Sequence, residues 1–116
     1  MVAAHLGITP EPVYWVYILH CENNTYYTGY TIDLQKRYQS HVDGSGKCKY
    51  TRSFKPTHIA QCWQIKGDKA LAMQVERYIK TLSRAEKERI IACPTALSVI
   101  FKPNGQYLSK ISHEFP

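Results

Sequence analysis

Long apolar runs, clustered cysteines and low-complexity tracts are all missing from this sequence. No stretch approaches the ~20 consecutive apolar residues of a bilayer-spanning helix. Met1 to Trp15 also lacks the basic-then-apolar pattern of a secretory signal, which directs the reading to a cytoplasmic protein with no membrane partner. The four cysteines, Cys21, Cys48, Cys62 and Cys93, stand far apart, with no Cys-x-x-Cys and no Cys/His pair at zinc-finger spacing. His20-Cys21 is an isolated pair, and two side chains do not close a tetrahedral zinc site. Free thiols of a reducing compartment are therefore expected. No internal repeat is visible, so a solenoid is excluded. Acid is scarce where base is dense. Between Lys36 and Lys55 six basic residues face only Asp43, a net +5 out of a chain total of +6.

What is present fits one core. A chain of 116 residues with 44% hydrophobic and 21% charged content has room for a single globular domain. Residues 1–12 read as a flexible leader, 13–93 as the domain and 94–116 as a C-terminal extension. Val13 to Cys21 is rich in β-branched and aromatic residues and predicts a strand. Glu22-Asn23-Asn24 predicts a turn, and Thr25 to Tyr30 a second strand of an antiparallel hairpin. Leu34, Tyr38 and Val42 then form one stripe of a helix capped by Thr31 or Asp33 and ended by Asp43-Gly44-Ser45-Gly46. A basic loop up to Pro56 leads to a third strand, His58 to Ile65. Asp68 caps a helix whose buried stripe is Leu71, Val75, Ile79 and Leu82. Ser83-Arg84-Ala85-Glu86 is a capping box that opens another. Leu97 to Phe101 and Gln106 to Leu108, around Asn104-Gly105, predict a terminal hairpin. The order β-β-α-β-α-α plus that hairpin is an α+β fold, a small antiparallel or mixed sheet flanked by helices.

Several residues in this frame have chemical potential. Tyr17 and Tyr27 project from one face if the hairpin pairs around its short turn. Gly29, two residues after Tyr27, weakens a strand unless a ligand or another backbone approaches there. A phenol with an ordinary pKa near 10 takes a proton from water only when a cation or metal lowers that value. With nine tyrosines in the chain, a purely structural role is the simpler reading for these two taken alone. Arg37 and His41 lie one helical turn apart at the edge of the apolar stripe. The planar guanidinium suits phosphate oxygens, and the imidazole could move a proton or orient a phenol. A surface arginine beside a packed histidine is the bland alternative. Glu76 has no obvious packing role and could hold Mg²⁺ or Mn²⁺ with water and phosphate oxygens. Taken alone, a routine surface ion pair with Lys80 at i+4 is the simpler reading.

These pieces in this order resemble the GIY-YIG nuclease superfamily. The first half of the signature stands as Trp15-Val16-Tyr17 and the second as Tyr27-Thr28-Gly29. The small stand-alone bacterial branch, called YhbQ-like, is the nearest in pattern. It shares Val16 to Leu19, Tyr27 to Gly29, Lys49 to Arg52 with Pro56, and Lys80 to Lys87, a likeness covering about residues 13 to 92. The resemblance implies a three-stranded antiparallel sheet flanked by helices, and phosphodiester hydrolysis with one divalent metal. Carried over by position, Tyr17 and Tyr27 flank the attacking water, with Tyr17 as general base unless Tyr27 exchanges roles with it. Arg37 stabilises the phosphate, His41 supports the tyrosines and Glu76 binds the metal. Trp15 replaces the signature's first glycine. The Asn that many members carry beyond the glutamate has no counterpart between Asn24 and Asn104.

With no appended recognition module expected, affinity must come from the domain's own basic surface, which reads charge and shape rather than sequence. The expectation is an endonuclease for DNA, single-stranded, branched or damaged, with a role in repair or processing; RNA stays open. Lys47, Lys49, Arg52 and Lys55 are the expected phosphate contacts, Tyr50 a base-stacking residue, and Lys80, Arg84 and Lys87 candidates in place of the absent Asn. Two other readings remain: a nucleic-acid-binding domain of the same fold without turnover, and an interaction module whose basic loop meets an acidic protein.

Overall fold

The computed structural model describes residues 12–46, 48–101 and 111–112. Nine elements follow in chain order among the described residues. They are β1 (Val13–Cys21), β2 (Tyr26–Thr31), α1 (Leu34–Asp43), α2 (Lys49–Ser53), β3 (Pro56–Lys66), α3 (Lys69–Thr81), α4 (Arg84–Ala92), α5 (Ala96–Ile100) and β4 (Ile111–Ser112). The strands form one antiparallel sheet in the order β2-β1-β3-β4. The β-β-α-β-α-α order and the antiparallel sheet match the sequence reading.

β1 is the middle of the three long strands, so it is buried on both faces. Its alternate residues serve different layers. Val16 and Ile18 join Trp63, Ile65, Ala72, Val75, Ile79, Ile90, Leu97 and Phe101 in an apolar core under α3, α4 and α5. Trp15, Tyr17, Leu19 and Cys21 join Leu34 and Cys62 on the other face, under α1.

The local signals are realised atom by atom. Asn24 turns the hairpin with φ 62°, a left-handed conformation that Asn tolerates. Asp33 caps α1 by accepting from the Lys36 amide, and Gly44 at φ 71° ends it. Asp68 accepts from the Leu71 amide at the start of α3. Ser83 and Glu86 form the reciprocal capping box of α4.

Three expectations are corrected. The basic segment before Pro56 is not all loop: Lys49–Ser53 is a short helix anchored by the buried Cys48 and Thr51. Leu97 to Phe101 is not a strand, because Ala96–Ile100 is helical. Leu97 and Phe101 are buried one turn apart while Val99 is exposed, so the core accepts a helical spacing, not an alternating one. Gln106 to Leu108 lies outside the described residues, as do the leader's residues 1–11, so a terminal hairpin is not observed; Ile111–Ser112 pairs with β3 instead. On α1 the inward stripe is Leu34, Tyr38 and His41. Val42 is exposed, because a fully buried His41 finds polar partners on that face.

Candidate active site: a tyrosine–histidine–threonine chain beside an arginine

Tyr17 projects from β1 onto the α1 face and is 1% exposed. Its strand partner is Gly29, and a Cβ there would stand 2.5 Å from the Tyr17 hydroxyl oxygen. The expectation that a ligand or backbone approaches Gly29 is therefore corrected, since the Tyr17 phenol fills that space. Tyr27, diagonal to Tyr17 across the hairpin, shares its face.

α1 carries His41 under both rings, with centroids 5.7 Å from Tyr17 and 5.1 Å from Tyr27 in edge-on geometry. The Tyr17 hydroxyl lies 2.8 Å from His41 Nε2. On the far side of the imidazole, Nδ1 lies 2.7 Å from the Thr51 hydroxyl, which donates to the Cys48 carbonyl at 3.3 Å. Burial, and secondarily the charge of Arg37, push the His41 pKa down to about 4, so the ring is neutral at physiological pH. Burial also raises the Tyr17 phenol above its ordinary value, while the Arg37 guanidinium beside it pulls the other way. Tyr17, Tyr27, Arg37 and His41 are thus assembled in one place from three elements.

Glu76 comes from a fourth element. It lies on α3, the helix that packs against the opposite face, and its largely buried carboxylate is 3.4 Å from the Lys80 ammonium. A groove of about 480 Å³ runs around the β2 edge, lined by Tyr14, Tyr30, Thr31, Ile32, Arg37 and Lys69, so it joins Arg37 to the start of α3. No cluster of three or more metal-ligating side chains occurs among the described residues.

The expected nucleic-acid contacts divide. Lys49, Tyr50 and Arg52 are exposed on α2, whereas Lys47 lies outside the described residues. Tyr50 stacks on Tyr27 (5.8 Å, 22°) and leans on Phe54 (5.3 Å), so an aromatic row leads outward from the tyrosine pair. Lys49, Tyr50, Ser53 and Phe54 line an open hollow of about 390 Å³ at its outer end. Lys55 is tied internally, its ammonium donating to the Val42 carbonyl. Arg84 is likewise engaged: it donates to the Asn24 carbonyl at 2.7 Å and lies over the Tyr26 ring. Lys80 pairs with Glu76, and Lys87 is half-buried on α4. The sequence reading missed Thr51. Thr51 stands inside the Lys49 to Arg52 motif used for the resemblance, which was the available signal. The cysteines are free thiols, with Cys93 alone exposed.

The family described as the GIY-YIG catalytic domain matches residues 13–89. Among curated relatives, a UPF0213 protein of Bacillus licheniformis is 38% identical over 96 residues, 81% of this chain and 95% of that protein. A UPF0213 protein of Natronomonas pharaonis is 43% identical over 82 residues, 71% of this chain and 94% of that one. The solution NMR structure of a UPF0213 protein from Bacillus halodurans is 38% identical, covers 70% of this chain and 84% of that chain, and has a TM-score of 0.45.

Proposed function

The chain belongs to the GIY-YIG catalytic-domain family, a family of nucleases, and from that premise we propose that it is an endonuclease hydrolysing phosphodiester bonds in DNA with little sequence selectivity. The observation that carries the proposal is the buried Tyr17 phenol held 2.8 Å from a neutral imidazole, with Arg37 at its side. Arg37 orients the phosphate and offsets the charge developing on its oxygens, the largest expected contribution. Tyr17 accepts a proton from the attacking water while its own proton passes to His41 Nε2. An anion on Arg37 offsets one of the two causes that hold the His41 pKa down, which favours that transfer. Tyr27 walls the opposite side of the water.

Family membership also implies a divalent metal. The available donors suit an ion that keeps most of its waters rather than a closed protein cage: Glu76 is a largely buried carboxylate, and no group of three or more metal-ligating side chains occurs among the described residues. Glu76 would hold Mg²⁺ or Mn²⁺, which supplies Lewis-acid polarisation of a phosphate oxygen when bound. The aromatic row from Tyr27 through Tyr50 to Phe54 supports a strand with accessible bases, so single-stranded, branched or damaged DNA is the proposed substrate and repair the proposed setting. Lys49 and Arg52 supply phosphate contacts. No helix of the described residues is long and apolar enough to cross a membrane.

The test incubates single-stranded, duplex and forked DNA with Mg²⁺, Mn²⁺ or EDTA, beside Tyr17→Phe and Glu76→Ala. Metal-dependent cleavage lost in both variants, with binding retained, upholds the proposal. One observation favours a second reading, a binding domain without turnover: Glu76 is ion-paired and on the helix of the opposite face. Tight binding with no cleavage under any metal condition would select it.

A further inference from the structure

We propose that Thr51 is a positioning residue that locks His41 in the tautomer protonated at Nδ1, aiming the Nε2 lone pair at the Tyr17 hydroxyl. The argument is a proton count along a buried chain. The Cys48 carbonyl, which also accepts from the Arg52 amide at 3.0 Å, can only accept, and we place the single Thr51 hydroxyl proton on it, at 3.3 Å. With the proton so placed, the Thr51 oxygen accepts from His41 Nδ1, 2.7 Å away. A neutral imidazole has one N–H, so Nε2 is left as an acceptor and the Tyr17 hydroxyl must donate to it, at 2.8 Å. Both His41 and Thr51 are 0% exposed, which keeps water from offering either nitrogen an alternative partner.

The consequence is directional. Tyr17 has a preset acceptor for its proton, and its oxygen lone pairs remain for the attacking water and Arg37. In the opposite tautomer Nε2–H would donate to Tyr17, and the phenol could not pass its proton to the ring. The short helix α2 exists in part to hold this hydroxyl: Thr51 is its buried residue, and it crosses from α2 to α1 by this bond.

The mechanistic part rests on the endonuclease reading; the tautomer does not. The experiment therefore has two readouts. Long-range ¹H–¹⁵N spectra of histidine-labelled protein, with His41 assigned through His41→Gln, should show Nδ1 protonated and Nε2 bare at pH 7. Thr51→Val should shift His41 towards the Nε2–H form and lower kcat on single-stranded DNA with Mg²⁺ or Mn²⁺ by about 10- to 100-fold, with KM little changed. Thr51→Ser should restore both, which a purely space-filling role would not predict. An Nε2–H wild type, or a Thr51→Val protein with unchanged tautomer or kcat, overturns the proposal. A wild type that cuts nothing removes the endonuclease reading alone, and the spectra still decide whether Thr51 sets the tautomer.

Discussion

The two faces of the sheet are made by alternate residues of the same strand, yet they solve opposite problems. The Val16/Ile18 face is dry: aliphatic and aromatic side chains from β3, α3, α4 and α5 close over it, and its stability scales with area buried. The Tyr17 face is equally buried, but its centre is polar, and each group there is matched to a specific partner. A buried hydroxyl or imidazole is tolerated only when hydrogen-bonded. One face therefore provides cohesion, and the other spends part of it on a fixed geometry. The dry face carries its own exception. Thr28 is 4% exposed and its hydroxyl has no partner among the described residues.

The sharpest way to break the comparison is to hollow out the dry face. Trp63→Ala removes a ring that is 1% exposed and whose Nε1 donates to the Pro94 carbonyl, and should cost about 3–5 kcal/mol in urea unfolding. A smaller loss would mean that α5 and the segment before it close over the gap.

Acid should act on the other face. His41 is held neutral in the native state, whereas the unfolded chain protonates it near its ordinary value. Its contribution is therefore fully present above about pH 6.5 and is lost as pH falls towards about 4, by on the order of 3 kcal/mol. Denaturation midpoints of wild type and His41→Gln measured from pH 7.5 to 4.5 should converge. Parallel curves would show that His41 is not the group concerned.

Gly29→Ala should be milder in stability and severe in function. The added methyl meets the end of the Tyr17 ring, so the phenol must leave His41 or β2 must shift, at about 1–3 kcal/mol. Cleavage falling much further than the unfolding midpoint is the expected signature, and proportional losses would argue against a poised phenol.

Smallest, and opposite in sign, is Thr28→Val. Replacing the unpartnered hydroxyl with a methyl should raise stability by about 1 kcal/mol. A loss instead would indicate that the hydroxyl has a partner the dry face conceals.

Local chemistry explains which features the sequence could disclose. The hairpin around Asn24, the caps at Asp33, Asp68 and Ser83 and the α3 stripe each depend on residues within a few positions of one another, so their patterns survive in one dimension. The pairing of Tyr17 with Tyr27 on one face needs only a strand period of two and a short turn. Leu97 to Phe101 defeated the same logic. Its alternation suits a strand, and only the depth of the core, which takes Leu97 and Phe101 but not Val99, makes it a helix. Val42 displaced by His41 on α1 has the same cause. Apolarity favours valine inside, until Tyr17 and Thr51, 24 and 10 residues away in sequence, satisfy both imidazole nitrogens.

The sequence by itself determined the family, through the motifs it shares with it, and the β-β-α-β-α-α order of the main elements, which short-range periodicity sets, together with the chemical vocabulary of two tyrosines, an arginine and a histidine. Only the tertiary structure decided that Thr51 completes the histidine chain, that Lys55 and Arg84 are tied to main-chain carbonyls, and that Glu76 belongs to the helix of the opposite face. Each of those is a hydrogen-bond or packing match between distant segments, and such a match exists only once the sheet has brought the segments together.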